Sequence, residues 1–385
     1  MQLNPNLRRP SMMIGAMLLV AVLGFLGVTR LVHRFGEQEK ALGRRLYRQG
    51  QAEIAAGRPD RAIEAFRAAL SYDREDFEYQ LSLARALRDT GRINESKAYL
   101  TSLWERTPQS GAVNLALGRL EAREGSIDDA IHYYHNATYG EWASASELNR
   151  RNAQFELIDF LLTAGAFQQA QSELIMTAAT LPPDFALQMR EARMFAHAQD
   201  YDHALKEYHA ILSRDRNNPD ALAGAGDAAF HLGRYRTAET FLQEALKAKS
   251  QDASVTEQLQ ISSLIVRSDP FSRRISVAER NRRLQQAFAQ AGERLRKCAE
   301  PTKTDLTASV SPPSSDDLSS LKAQWLQMKP KVGHLNRPEG SNNLFDSAMN
   351  LVLQIEQYAE KNCGPASDTD KALLLLAQGR YGVEQ

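Results

Sequence analysis

The chain has 385 residues, and its 47 Lys plus Arg are balanced by 47 Asp plus Glu, so its formal net charge is zero and no basic excess points to nucleic acid. Its only cysteines are Cys298 and Cys363, and no C-x-x-C spacing occurs, which excludes zinc-finger and thioredoxin-type chemistry. The length would suit two or three domains, unless the chain is a repeat array in which each unit buries its face only against its neighbours.

A short tail, residues 1–10, precedes a run from Ser11 to Val28 that no charge interrupts. About 20 apolar residues span a bilayer core. Extended by Leu31 and Val32, the run predicts a transmembrane anchor over 11–32. The following Thr29-Arg30-Leu31-Val32-His33 offers no small-x-small cleavage site, so an uncleaved anchor is expected rather than a removed signal. Two indications of sidedness disagree. Arg30, Arg34, Lys40, Arg44 and Arg45 outnumber Arg8 and Arg9, which places the C-terminal side in the cytoplasm. A very short tail before a large C-terminal part resembles bacterial type II signal anchors, which place it in the periplasm, and two cysteines in one region suit export. The expectation is a bacterial inner-membrane protein with one span and periplasmic repeats, with the cytoplasmic side as the alternative.

Residues 33–42 read as a juxtamembrane helix. From Gly43 to about 252 the chain then repeats itself. The small residues Ala62, Ser96, Ala130, Ala170, Ala204 and Ala238 recur at spacings of 34, 34, 40, 34 and 34. Turn glycines stand at Gly57, Gly91, Gly125, Gly165 and Gly233; in the fifth unit Gln199 and Asp200 occupy the turn instead. A large residue follows each small one by four positions (Phe66, Leu100, Tyr134, Leu174, Tyr208, Leu242), which puts both on one helix face. The single spacing of 40 predicts a turn inserted at Glu141–Ser146.

This pattern resembles the tetratricopeptide repeat. Gly50, Ala62, Phe66 and Ala69 stand at its hallmark positions in the first unit, Gly118, Ala130, Tyr134 and Ala137 in the third, and Gly226, Ala238, Leu242 and Ala245 in the sixth. Six units start near Gly43, Phe77, Gly111, Arg151, Phe185 and Pro219. The resemblance covers a little over half the chain. It implies an all-α fold: a solenoid of about six helix-turn-helix repeats, here with an N-terminal transmembrane helix and a C-terminal helical unit.

After the repeats, residues 253–300 are expected to form capping helices. The first is Ala253–Arg267, broken at Asp269-Pro270; the second is capped by Ser276 with Glu279 three residues on. Residues 301–317, rich in Ser, Thr and Pro, read as a flexible linker. A helical unit over 318–385 holds a short helix ending at Met328, a loop over Lys329–Asn343, a helix over Leu344–Lys361 and a last one around Leu373–Leu376. Cys298 and Cys363 form either one disulfide or two separate thiols.

No P-loop, nucleophile elbow or H-E-x-x-H motif is present, so no catalytic residue, metal site or cofactor is assigned. Gly224-Ala225-Gly226 follows no strand pattern and reads as helix packing rather than a dinucleotide loop. His132 and His135 lack a third ligand. An enzyme would have to rest on His334, Asp346 and Cys363 in the C-terminal unit. The family resemblance implies a concave groove lined by the first helix of each unit. Carried over, it assigns Glu78, Leu81, Arg85, Arg88 and Asp89 in the second unit and Ala112, Leu115, Arg119, Ala122 and Arg123 in the third. Arg193 and His197 follow in the fifth, and Asp220, Asp227, Phe230 and His231 in the sixth. Arginine forks suit carboxylates. The expected partner is therefore a protein presenting an acidic or C-terminal segment; the competing reading pairs these arginines with neighbouring carboxylates. The chain is expected to act as a membrane-anchored scaffold without enzymatic activity. The alternative is an accessory subunit of a secretion, polysaccharide-export or envelope-assembly complex. The sequence gives no oligomeric state.

Overall fold

A computed structural model describes residues 8–249, 252–272, 275–299, 315–334 and 341–381, and every regular element among these is a helix. The chain forms two compact units, Met1–Glu173 and Leu174–Gln385.

The first unit begins with α1 (Arg8–Ala55), one continuous helix that runs through the expected anchor, the juxtamembrane segment and the first repeat helix. It continues with α2 (Pro59–Leu70), α3 (Phe77–Asp89), α4 (Ile93–Arg106), α5 (Gly111–Glu124), α6 (Ile127–Tyr139) and α7 (Ser146–Thr163). Helix α8 (Phe167–Ala178) carries the chain across the boundary. Among the described residues no helix is long and apolar enough to cross a membrane. Much of the expected anchor over 11–32 has side chains outside the described residues. The large apolar ones among those described, Met17, Leu18, Leu19, Val22, Leu23, Phe25 and Leu26, are 49–77% exposed.

Each first helix of a repeat passes to its second through the same turn. Arg58, Arg92, Ser126, Ala166, Asp200 and Arg234 donate their backbone N–H to the carbonyls of Glu53, Leu87, Glu121, Leu161, Phe195 and Ala229, at 2.8–3.0 Å. This is a Schellman closure, and it needs a left-handed residue. The five turn glycines supply it at φ 69–80°, and Gln199 takes it at φ 61° where the glycine is missing. The fifth turn therefore keeps its geometry at the cost of a Cβ in a disfavoured region.

The period-34 residues form the seams between helices. Ala62, Ser96, Ala130, Ala170, Ala204 and Ala238 are fully buried. Ser96, the one hydroxyl among them, donates to the Ala84 carbonyl at 2.7 Å, so its burial leaves no donor unsatisfied. Gly50, Gly224 and Gly226 lie against Phe66, Tyr208 and Leu242, where a Cβ would collide with the facing side chain. The Gly224–Gly226 pair is thus a packing notch. The turn inserted at Glu141–Ser146 doubles back on the preceding repeat: Glu141 N–H donates to Gln109 O at 2.7 Å, and the Glu141 carbonyl accepts from Gly111 N–H at 2.8 Å. Its Trp142 covers Gly111 and donates to Ala137 O at 3.1 Å.

The second unit holds α9 (Phe185–His197), α10 (Tyr201–Arg214), α11 (Pro219–His231), α12 (Tyr235–Ala248) and α13 (Ala253–Ser268), followed by α14 (Val277–Ala299), α15 (Ser315–Gly333), α16 (Ser341–Asn362) and α17 (Asp368–Tyr381). Helix α13 packs on α12, and its Ile261 and Ile265 meet Ala372 of α17 in one cluster with Phe230 and Tyr235. Helix α14 is not a second cap. Its stripe of Leu284, Phe288, Ala291 and Leu295 lies in one core with Phe345, Met349 and Val352 of α16. Two expectations for the C-terminal part change. The expected linker over 301–317 falls mostly outside the described residues, and its last three residues are already helical in α15. The loop expected from Lys329 is helical to Gly333 despite Pro330, because Val332 is buried in the same core.

Cys298 and Cys363 are joined in a disulfide with Cα atoms 4.9 Å apart. One turn before Cys298, Arg294 donates to the carbonyls of Gly364 and Pro365 at 2.8 and 2.9 Å. Asp370 is buried beside it and accepts from Gln290 at 2.8 Å and from the Ser367 hydroxyl at 2.7 Å. Glu356 is also buried there, and its Oε1 has no hydrogen-bond partner.

Candidate binding groove

The residues assigned to the groove fall on both units. The first unit holds Arg85 and Arg88, one turn apart on α3, and Arg119 and Arg123 on α5. Helices α3 and α5 begin at side-chain caps, Asp76 accepting from Tyr79 N–H at 2.9 Å and Ser110 from Val113 N–H at 3.4 Å. The seams behind them are filled by Leu81, Ala84, Leu100, Leu117 and Leu120. The arginines therefore project from a rigid support.

Their partners differ. Arg119 makes a two-armed pair with Glu156 of α7, at 2.6 and 2.7 Å, which raises its pKa above the ordinary value. Arg88 turns to the adjacent Asp89 at 2.7 Å, and Arg123 donates to the Arg88 carbonyl at 2.6 Å. Arg85 reaches only the Ala112 carbonyl, at 3.5 Å. Burial pushes its guanidinium below the ordinary arginine range, and the charge of Arg119 adds to that shift. Arg85 Nε and Arg88 Nη1 are buried with no acceptor. At the N-terminal ends of α3 and α5 lies a cavity of about 630 Å³. It is lined by Phe77, Glu78, Pro108, Ala112, Glu141 and Trp142, so it shares Glu78 and Ala112 with the groove positions.

On the second unit the assigned residues are spoken for or exposed. Arg193 pairs with Asp220 at 2.7 Å, both more than half exposed, a contact of small energetic weight. His197 is exposed near the end of α9. The His231 ring stacks on Tyr201 at 4.4 Å and lies 3.4 Å from Asp227. That hydrogen bond raises the His231 pKa above its ordinary value. Burial acts to raise Asp227, but its bonds to His231 and to Gln258 bring it below the usual carboxylate range.

Carboxylates thus pair with several groove arginines, although Glu156 had not been singled out in the sequence. It sits just past the inserted turn, where the repeat phase shifts, and no local spacing ties it to Arg119. Cys363 offers no thiolate while it is bonded to Cys298. His135 lies 3.5 Å from Glu173, and among the described residues no group of three acidic, His or Cys side chains is placed to hold a metal ion.

Residues 53–120 and 195–257 match a family model described as tetratricopeptide repeat. No curated protein matches the chain. Among solved structures it is similar to YrrB, described as a TPR protein with an unusual peptide-binding site, at 16% identity and TM-score 0.40, over 52% of this chain and 99% of that one. It is also similar to PilF of Pseudomonas aeruginosa, at 13% identity and TM-score 0.41, over 57% and 97%. The C-terminal part of a TPR repeat-containing protein from Cytophaga hutchinsonii gives 10% identity and TM-score 0.45, over 63% and 94%. These values are too low for any of the three to lend its ligand to this chain.

Proposed function

The chain belongs to the tetratricopeptide repeat superfamily, and from that premise we propose that it is a membrane-anchored scaffold whose repeat groove grips an acidic or C-terminal segment of a partner protein. Repeat solenoids offer extended concave surfaces suited to peptide binding. The observation that carries the proposal is the shortage of acceptors around α3. Arg85 Nε and Arg88 Nη1 have none, and a buried donor left unpaired costs about 1–3 kcal/mol. A carboxylate entering between α3 and α5 supplies the acceptor and offsets the mutual repulsion of Arg85 and Arg119. The cavity beside Phe77 and Trp142 suits an apolar side chain next to that carboxylate.

In this reading the N-terminal half of α1 sits in the bacterial inner membrane and the repeats face the periplasm. The charge-free run from Ser11 to Val28 and the exposed side chains from Met17 to Leu26 support the first part. The Cys298–Cys363 disulfide supports the second, because such bonds persist in oxidising compartments. An impermeant maleimide applied to intact cells tests it. Labelling that needs prior reduction agrees with a periplasmic disulfide; labelling that needs only lysis puts the repeats in the cytoplasm.

The groove is tested with a fluorescein-labelled acidic peptide bearing a free C-terminus, titrated by anisotropy into the full chain in detergent. Arg85→Ala and Arg88→Ala should each weaken binding at least tenfold, while Arg193→Ala should not. Equal affinity for wild type and both α3 variants would sink the assignment.

A further inference from the structure

We propose that the groove between α14 and α15 docks an amphipathic helix of a second partner protein, one that carries two acidic residues seven positions apart. This site shares no residue with the repeat groove and stands or falls separately from it. Its lining comes from α14 and α15 alone and encloses about 830 Å³. On α14 the lining runs from Gln285 to Arg296, and on α15 from Lys322 to Gly333. At 1.5 Å per residue each wall is about 16 Å long, or about three helical turns. That length suits a short helix laid in the groove.

The floor is apolar and firmly held. Trp325 stacks on Phe288 with centroids 5.5 Å apart, donates its Nε1–H to the Phe288 carbonyl at 3.0 Å, and covers Gly292, where a Cβ would strike the ring. Leu326, 54% exposed, stands beside it as an unspent apolar contact. Such a fixed aromatic platform loses little side-chain freedom when a partner arrives.

Charge on the two walls differs. On α14, Glu293 and Arg296 pair with each other at 2.6 Å. On α15, Lys322 and Lys329 are exposed, and neither takes part in an ion pair among the described residues; Lys329 lies over the Trp325 ring at 4.9 Å. Seven residues separate these lysines, so they lie on one side of α15 about 10 Å apart. A helix with an apolar stripe and acidic residues at i and i+7 meets both while its stripe covers Trp325 and Leu326. A fatty acid, with one anionic head, meets only one of them.

The test selects a phage-displayed library of 16-residue helical peptides on the full chain in detergent. Selected sequences are then measured against Lys322→Glu/Lys329→Glu and against Leu326→Asp. These side chains are exposed, so thermal melting should be unchanged. The expected outcome is a consensus of apolar residues at i, i+3, i+4 and i+7 with Asp or Glu seven apart. Its affinity should fall at least tenfold in the charge-reversed variant and again in Leu326→Asp. Failure to enrich such peptides, or equal binding to wild type and variants, overturns the proposal. So does sodium laurate binding that Leu326→Asp abolishes in the absence of any enriched peptide, which would assign the groove to a lipid chain. A concentration-dependent dimer in sedimentation, removed by the same variants, would assign it to a second copy and equally overturn it.

Discussion

Glu356 gives the sharpest test of the energetics of the second unit. Its side chain is 2% exposed, and Oε1 has no hydrogen-bond partner. Burial pushes its carboxyl from 4.5 up to about 8, and the nearby Asp370 adds to that while Arg294 opposes it. A carboxyl with a folded pKa above its unfolded one stabilises the fold fully below about pH 4.5. That contribution is lost as the pH rises towards about 8, because the unfolded chain ionises first. At 1.36 kcal/mol per pH unit the whole loss is about 5 kcal/mol, an upper bound that relaxation around the site reduces. Wild-type protein should therefore melt progressively lower between pH 5 and pH 9, by about 2–4 °C per kcal/mol for a unit of this size. Glu356→Gln keeps the shape and removes the titration, so it should flatten most of that slope and be the more stable protein at pH 9. Glu191 adds a smaller slope of the same sign. It is 2% exposed, and burial, with Glu207 second, raises it to about 7. Scanning calorimetry of both proteins at five pH values decides the matter. A variant that loses stability with pH as steeply as wild type would refute the reasoning.

Other consequences can be checked by thermal or urea unfolding. Gln199→Gly removes the Cβ from a left-handed turn and should stabilise by up to about 1 kcal/mol, whereas Gly125→Ala, at φ 80°, should cost about that much. Gly224→Ala forces a methyl into the Tyr208 ring and should cost about 1–3 kcal/mol, so an unchanged midpoint would contradict the packing notch. Ser96→Ala restores the residue used in five of the six units and removes donor and burden together; its effect should stay within about 1 kcal/mol, and a larger loss would mean the Ala84 bond carries more than its own burial. Reducing the Cys298–Cys363 bond opens a loop of 65 residues and should lower stability by about 4 kcal/mol, read as a lower melting point in dithiothreitol.

The repeat was legible because its signals are local. Alanine at the seam, a large residue one turn on and glycine at the turn each report a contact or a φ value within a dozen residues, and together they fixed α2 to α12. Even the unusual fifth turn could be located, because Gln199 and Asp200 stand where a glycine is due. The inserted turn was visible as a lapse in spacing, but not its bonds to Gln109 and Gly111, since nothing in residues 141–146 names a target. The C-terminal part was read less well for a related reason. Pro330 marks a helix end on local grounds, and only the burial of Val332 against a distant helix overrides it. The groove arginines could be assigned only by carrying the family resemblance over onto the repeat phase. Their partners could not: Glu156 is 37 residues from Arg119, and which nitrogens of Arg85 and Arg88 are left without an acceptor depends on rotamers set by the neighbouring repeat.

The continuity of α1 from Arg8 to Ala55 makes it a shaft rather than a tether. Met17 to Leu26 and the Tyr47 ring that packs on Phe66 and Tyr79 share one axis, with no proline or glycine turn breaking the helix between them. One residue inserted between Glu37 and Lys40 would advance the N-terminal end by about 1.5 Å and rotate it by about 100°, while seven inserted residues would nearly restore the azimuth. Whatever meets the N-terminal end of this helix therefore sets the compass bearing of the first repeat.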